Sequence, residues 1–472
     1  MKCWSWSRES CRGRLLAAAC CLLGAASSAR AQAPPAAPAG PPPAVEVVAP
    51  VTAPVDAAAA SRTPPAASPR SRLVVSLLTM SPGGTLFTAY GHTAIRIRSL
   101  EDPRYDVAYD YGSYDASDPS APLKFVKGEL PYWLSVGPTA EVVDWYSRVF
   151  GAITEQTLAL EPLQAELLAR SLLHNSRPEL REYAYHHFRD NCATRPRDLL
   201  DRAFGGALRA ATVDAPSGAT FRQLIDRSMA FAPYLRWPTY GLLNGLIDLP
   251  ISRWEQMFLP AFLREELDLL RIPAADGTTR PAVSARQVLF GPEAPARLPD
   301  PSPLPGVLVI LLLLVVSTLP ALLVGRSPRG ARRLQGVWLA CWGTLGGLYS
   351  LLILIAWSLS PYPETRSNGN LLVFHPLLFG LAFLGVAHAL GKAWARRPLE
   401  GLLLLSLGGL LAAATIDLAE LSPQQLLGFV LAGAAVVLPS YLSLRASRKR
   451  DLRSDRTPAS RPETLPAPAP PP

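Results

Sequence analysis

Hydrophobic and polar positions keep different periods in different parts of this chain. Leu73-Val-Val-Ser-Leu-Leu78 is a short apolar run of the kind that forms a buried strand. His92 to Arg98 alternates, with Ala94 facing away from Ile95 and Ile97, and Asp106 to Tyr111 alternates too. The turn signal Glu101-Asp102-Pro103 between them predicts a small antiparallel sheet. Helical spacing follows at Thr139–Phe150 and at Pro162–His174, where the proline takes a first-turn position. Arg181 to Phe188 reads as another strand, and Ala193 to Phe204 as a helix closed by Gly205-Gly206. Proline is tolerated only in a first turn, so Pro196 places the start of that helix within a few residues of Asn191.

Beyond residue 300 the pattern gives way to five apolar runs, at 306–324, 334–359, 371–390, 401–418 and 425–444. Each is near the roughly 20 residues that cross a bilayer as a helix. Loop 325–333 carries Arg326, Arg329, Arg332 and Arg333, and loop 391–400 carries Lys392, Arg396 and Arg397. The tail, 445–472, is basic and then Pro-rich, with Arg445, Arg448, Lys449, Arg450, Arg453 and Arg456. Connections 360–370 and 419–424 hold one basic residue between them, Arg366. The positive-inside rule then predicts an inner-membrane, multi-pass protein. Its basic loops and tail are cytoplasmic, and the mixed-composition domain 71–292 is periplasmic. Asp417 and Glu420 fall near an outer end, which argues against a transporter.

Composition narrows the classes. Of 472 residues, 49% are apolar and 18% charged, against about 25% charged in soluble domains. A purely soluble enzyme, a disordered chain and a collagen-like fibre are disfavoured. The net charge of +9 is not a nucleic-acid footprint, because residues 71–300 hold 24 Arg and Lys against 27 Asp and Glu. Residues 1–31 read as a signal peptide, with a basic start, the apolar run Leu15–Ala26 and Ala29-Arg30-Ala31 as a cleavage site; an uncleaved anchor is the alternative. Residues 32–70 contain 11 Pro and 13 Ala in 39 positions and read as a tether that cannot bury enough surface to fold.

Cys192 is the only cysteine in the exported domain. It therefore has no disulfide partner there, and is either a buried inert thiol or a nucleophile. Its place at a helix start, in Arg189-Asp-Asn-Cys-Ala-Thr-Arg195, favours the nucleophile, since free backbone N–H groups and the helix dipole stabilise a thiolate and could form an oxyanion hole. Of the six histidines, His92 has the best context for a base: it opens a strand behind Gly91, whose missing side chain permits close backbone approach. No metal-ligand spacing and no Gly-rich phosphate loop is present, Gly83-Gly84 being better read as a turn, so neither a metal nor a cofactor is expected.

Three ordered blocks carry a resemblance: Tyr90-Gly-His-Thr-Ala-Ile-Arg-Ile97, Tyr109-Asp-Tyr-Gly112 and Phe188-Arg-Asp-Asn-Cys-Ala-Thr-Arg195. Over about residues 71–292 the chain resembles the Lnb N-terminal periplasmic domain family, and Pro363 to Leu372 resembles the polar outer loop of full-length members. The order His, polar strand residue, Asn-Cys is also similar to circularly permuted papain-like folds. The resemblance implies an α+β exported domain of permuted papain-like type, an antiparallel sheet with helices, followed by an all-α five-helix transmembrane domain. It further implies a cysteine acyltransferase whose partners are membrane lipid and a lipoprotein.

Under that reading Cys192 is the nucleophile and His92 the base and then the acid. Asp110 is the first choice to orient the imidazole, because its strand should pair with that of His92; Tyr111 is the second choice, and a surface carboxylate beside Arg96 or Arg98 is the alternative role for Asp110. Asn191 or Asp190 should cap the helix. Arg195 either meets a lipid phosphate or pairs with Asp198. The apolar groups Tyr234 to Trp237, Leu242-Leu243, Leu246-Ile247 and Met257-Phe258-Leu259 are either core or, with the loop from Glu364 through Asn368 to Asn370, a groove for an acyl chain. The competing functions are a papain-type cell-wall amidase or peptidase, and a non-catalytic membrane assembly protein.

Overall fold

A computed structural model gives the fold and describes residues 72–85, 88–115, 117–274, 277–292, 295 and 297–454. The signal-peptide and tether readings, and the tail beyond residue 454, lie outside these residues.

The sheet is larger than the sequence pattern suggests. Strands β1 (Leu73–Met80), β2 (His92–Ser99) and β3 (Asp106–Ser113) form where the alternation places them. They are joined by β4 (Pro131–Pro138), β5 (Ile153–Leu158), β6 (Glu182–Ala184) and β7 (Val283–Phe290). The spatial order is β7-β5-β1-β2-β3-β4-β6, antiparallel throughout. The strand expected over Arg181–Phe188 is cut to three residues. The chain turns back after it, with His186 N–H donating to Asp190 C=O and Asp190 N–H to His186 C=O, each at 2.9 Å.

Strand periodicity sorts the side chains onto two faces. Val75, Leu77, Ile95, Ile97, Val107, Tyr109, Tyr111 and Leu134 fill the main core with the helices packed on that face. The opposite face is smaller: Leu78, Met80, Ala94 and Ala108 pack under helix α1 (Thr139–Ser147), which ends three residues short of Phe150. Helices α2 (Pro162–Asn175), α3 (Thr194–Ala203) and α4 (Pro260–Leu269) cover the main-core side. Helix α3 stops as predicted, with Gly205 and Gly206 at φ 68° and 86° and the Gly206 N–H on Asp201 C=O at 2.8 Å.

After residue 303 the chain is helical: α5 (Leu304–Leu323), α6 (Pro328–Leu359), α7 (Leu378–Ala389), α8 (Arg396–Leu418) and α9 (Leu427–Ser454). Among the described residues four of these, all but α7, are long and apolar enough to cross a membrane. The third apolar run therefore departs from the expectation of five full-length helices. Its first part, Gly369–Leu372, is a 3-10 turn, and only 12 residues are α-helical. Pro376 and the hydrogen-bonded loop before it delay the helix start. Helix α7 lies close against α6: a side-chain carbon on Gly343 would come 2.4 Å from Ala382 N, and one on Gly336 2.5 Å from Gly385 O. Small residues of this kind let helix backbones approach without a hydrophobic driving force.

The exported domain docks on these helices through polar contacts. Asn368 and Asn370 both donate from Nδ2 to Gly241 C=O, at 2.8 and 3.1 Å. Asn244 Nδ2 donates to Pro363 and Arg366 C=O at 2.9 and 2.6 Å, and Tyr349 donates to Pro238 C=O at 2.7 Å. Tyr362 donates to Tyr185 C=O at 2.6 Å. The apolar stretches around residue 240 divide accordingly. Ile247, Met257, Phe258 and Leu259 are buried core, whereas Tyr234 is 75% exposed and Trp237 sits over Gly306 at the start of α5.

Candidate active site

His92 begins β2 and Asp110 lies in β3, whose register pairs Ile95 with Tyr109. Both side chains point to the smaller face. His92 Nε2 is 2.5 Å from Asp110 Oδ1, and the carboxylate is 1% exposed. Its second oxygen accepts from the hydroxyl of Tyr146, which reaches down from α1. Asp110 is thus not a surface carboxylate beside Arg96, which instead binds Asp106 and Glu155. The His92 ring is held between Tyr146, at 5.1 Å between centroids, and Phe150, stacked at 6.2 Å and 14°. Apolar walls and one fixed acceptor leave the imidazole a single orientation.

Cys192 meets this pair at the end of the sheet. Gly112, at φ 105°, is what allows it: a side-chain carbon there would lie 3.2 Å from Cys192 Cβ and 3.5 Å from His92 Cε1. Gly91 does the same on the other flank, where a side-chain carbon would sit 2.6 Å from Met80 C=O. Thr93 ties the Cys192 carbonyl to β2 through its hydroxyl. With Nε2 taken by Asp110, Nδ1 is the nitrogen left for the thiol. Burial works against a charged imidazole, but the charge of Asp110, then of Cys192, and hydrogen bonds to both hold the His92 pKa well above 6.5. Tyr146 is driven the other way from ionisation, by burial and then by Asp110, so it stays a neutral donor.

Asn191 sets the turn. Its Oδ1 accepts from Ala193 and Thr194 N–H at 2.8 and 2.9 Å, and its Nδ2 donates to His187 and Phe258 C=O at 2.7 and 3.0 Å. The N-cap position itself is Ala193, whose side chain makes no bond, and Asn191 rather than Asp190 meets the N–H groups there from two residues earlier. This corrects the expectation that the N–H groups of the helix start are free for an oxyanion: those of Ala193 and Thr194 are already occupied. Arg195 does not pair with Asp198. It pairs with Asp190 at 2.5 and 2.9 Å and lies 3.6 Å over the Tyr183 ring, while Arg197 takes Asp198 at 2.8 Å.

The remaining expected residues lie elsewhere. Tyr111 is on the main-core face of β3, its hydroxyl accepting from Asn175 Nδ2 at 2.9 Å, away from His92. Asn368 and Asn370 are buried in the docking contact at Gly241. Tyr146, Phe150, Thr93 and Gly112 belong to the site but carry no distinguishing sequence signal, except that Gly112 closes the Tyr109-Asp-Tyr-Gly block. Among the described residues no group of three or more His, Cys, Asp or Glu could hold a metal ion.

Residues 64–227 match the family model of the Lnb N-terminal periplasmic domain. The match contains His92, Asp110 and Cys192 and stops at residue 227, so the docking contacts around Gly241 and all the apolar helices lie beyond it. No curated protein and no solved structure matches the chain.

Proposed function

We propose, from the premise of an Lnb N-terminal periplasmic domain joined to membrane-length helices, that this protein is a membrane-anchored thiol acyltransferase. It moves a fatty acyl chain from a lipid or lipoprotein, through a thioester on Cys192, to a lipoprotein N-terminus. The observation that carries the reading is His92, oriented by Asp110 and Tyr146 and facing Cys192, in a domain hydrogen-bonded to apolar helices.

His92 holds the thiol proton on Nδ1 as the imidazolium, and the Cys192 thiolate attacks the acyl carbonyl. The ester C–O bond breaks and the leaving alcohol takes the proton from His92. The acceptor amine then attacks the thioester, the C–S bond breaks, and the amine proton returns through His92 to sulfur. Asp110 stabilises the imidazolium in both halves.

We place the domain in the periplasm and the helices in the inner membrane, with five passes. Support comes from the ends of the bundle. Arg332 lies against Gly391, Arg396 donates to Leu444 C=O at 2.9 Å, and Arg448 pairs with Glu400 at 3.2 Å, so the basic segments share one end. Gly369 N–H donates to Gln424 Oε1 at 2.8 Å at the other end, beside the exported domain. The run between Gly369 and Gly391 thus travels from one end to the other, with Val373 and Phe374 of its non-helical part buried against the neighbouring helices.

The test is mass spectrometry of the full-length protein in vesicles of phospholipid and diacylated lipoprotein. An acyl adduct on Cys192, lost in Cys192→Ser and His92→Ala, is expected. Cleavage of cell-wall peptide with no adduct would instead make the protein an amidase, and an unreactive Cys192 would make it non-catalytic.

A further inference from the structure

Glu364 is the one carboxylate that the membrane-side loop brings into the exported domain near the cysteine turn. It is 1% exposed and belongs to the short turn Pro363–Thr365 that follows α6. Its Oε1 is 3.2 Å from Arg189 Nη2, and its Oε2 is 3.6 Å from His186 Nε2. Neither oxygen has a hydrogen-bond partner at closer geometry. Burying a carboxylate is costly, and the cost is offset only while the partners beside it remain in place. Burial pushes its pKa up, but the hydrogen bond with His186 brings it below 4.5. His187, buried and next to His186 and Arg189, is held near 3 and is neutral.

The side chains it holds, His186 and Arg189, belong to the turn that delivers Cys192. His186 closes the turn on Asp190 through both backbone groups, and His187 C=O is the acceptor of Asn191 Nδ2. Asn191 then fixes Ala193 and Thr194, with Cys192 between. Thr93 anchors the far side of Cys192 to β2, so the turn is the remaining degree of freedom.

We propose that Glu364 is a positioning residue for Cys192: the loop after α6 holds the 186–191 turn through His186 and Arg189 and so sets the thiol against His92. The proposal rests on Cys192 being the reactive thiol of the function above, but not on the identity of the acyl donor.

The experiment uses the full-length protein in detergent micelles, in a Cys341→Ala background so that Cys192 alone among the described cysteines reacts. The rate of Cys192 alkylation by iodoacetamide is measured for wild type, Glu364→Gln, Glu364→Asp, and the swapped pair Glu364→Arg with Arg189→Glu. Glu364→Gln keeps the shape and should slow alkylation about tenfold, the scale on which a distant group modulates a site. Glu364→Asp should recover most of the rate, and the swapped pair part of it, at unchanged melting temperature. Alkylation of Glu364→Gln at the wild-type rate overturns the proposal, as does an equal loss in Glu364→Gln and Glu364→Asp. Wild-type alkylation without any acyl adduct from lipid would overturn the acyltransferase reading alone.

Discussion

Asp110 Oδ1 lies 2.5 Å from His92 Nε2, on a strand that pairs directly with the strand of His92. The contact is the electrostatic centre of the site. Removing its charge while keeping its shape, in Asp110→Asn, should lower acylation of Cys192 by a soluble thioester about 10⁴-fold, comparable to the loss of an orienting carboxylate in other triads. The check is a single-turnover rate at fixed thioester concentration.

The same contact makes stability depend on pH. The folded-state pKa of His92 is raised above its unfolded value. The stabilisation is therefore complete below about pH 6.5 and is lost as pH rises through the folded pKa. Melting temperature should fall with increasing pH over that window in wild type, and the fall should be smaller in Asp110→Asn. Identical slopes in the two proteins would show that His92 is not held protonated.

Tyr146→Phe removes the donor to the second oxygen of a buried carboxylate. The cost of leaving that oxygen unsatisfied is about 1–3 kcal/mol. Denaturant unfolding should register it, and thioester acylation should drop less than in Asp110→Asn, because the contact to His92 persists.

Gly112→Ala should be more damaging than its size suggests. The position has φ 105° and the added carbon meets Cys192 Cβ at 3.2 Å. Strain of about 1–3 kcal/mol is expected, with slowed alkylation of Cys192. Gly84→Ala, where nothing lies within 4 Å, is the control and should leave both unchanged.

Topology is read with phosphatase fusions. Those at Arg280 and Asn368 should be active, and one within loop 391–400 inactive. An active fusion in that loop would remove the run 371–390 from the set of spans.

Much of the site was legible because it rests on local signals. A lone exported cysteine, a proline that limits where α3 begins and a Gly-His step at a strand start are all visible in one dimension. Pairing of Asp110 with His92 followed from adjacent alternating strands. The rest depended on long-range packing. Strand β5 reads Ile-Thr-Glu-Gln-Thr-Leu, and its polar residues are buried only because Arg96, Arg264 and Asp268 come to meet them. Tyr146 looks like any core residue of an amphipathic helix. Arg195 chose Asp190, five residues back, over Asp198, because the turn before Cys192 folds Asp190 toward it. The short α7 was hidden by apolar composition, which reports solvent preference and not helix length.

The two asparagines that share the Gly241 carbonyl have a mechanical consequence. With Trp237 over Gly306 and Tyr349 on Pro238, they bolt the exported domain to the helices at several points. Under the proposed membrane placement, the thiol then cannot be lowered into the bilayer or lifted from it. It works at a fixed elevation. In the proposed acyl transfer, donor ester and acceptor amine would each be raised to that height in turn, and the distance between an acceptor's amine and its own lipid anchor would act as a ruler for which acceptors are served.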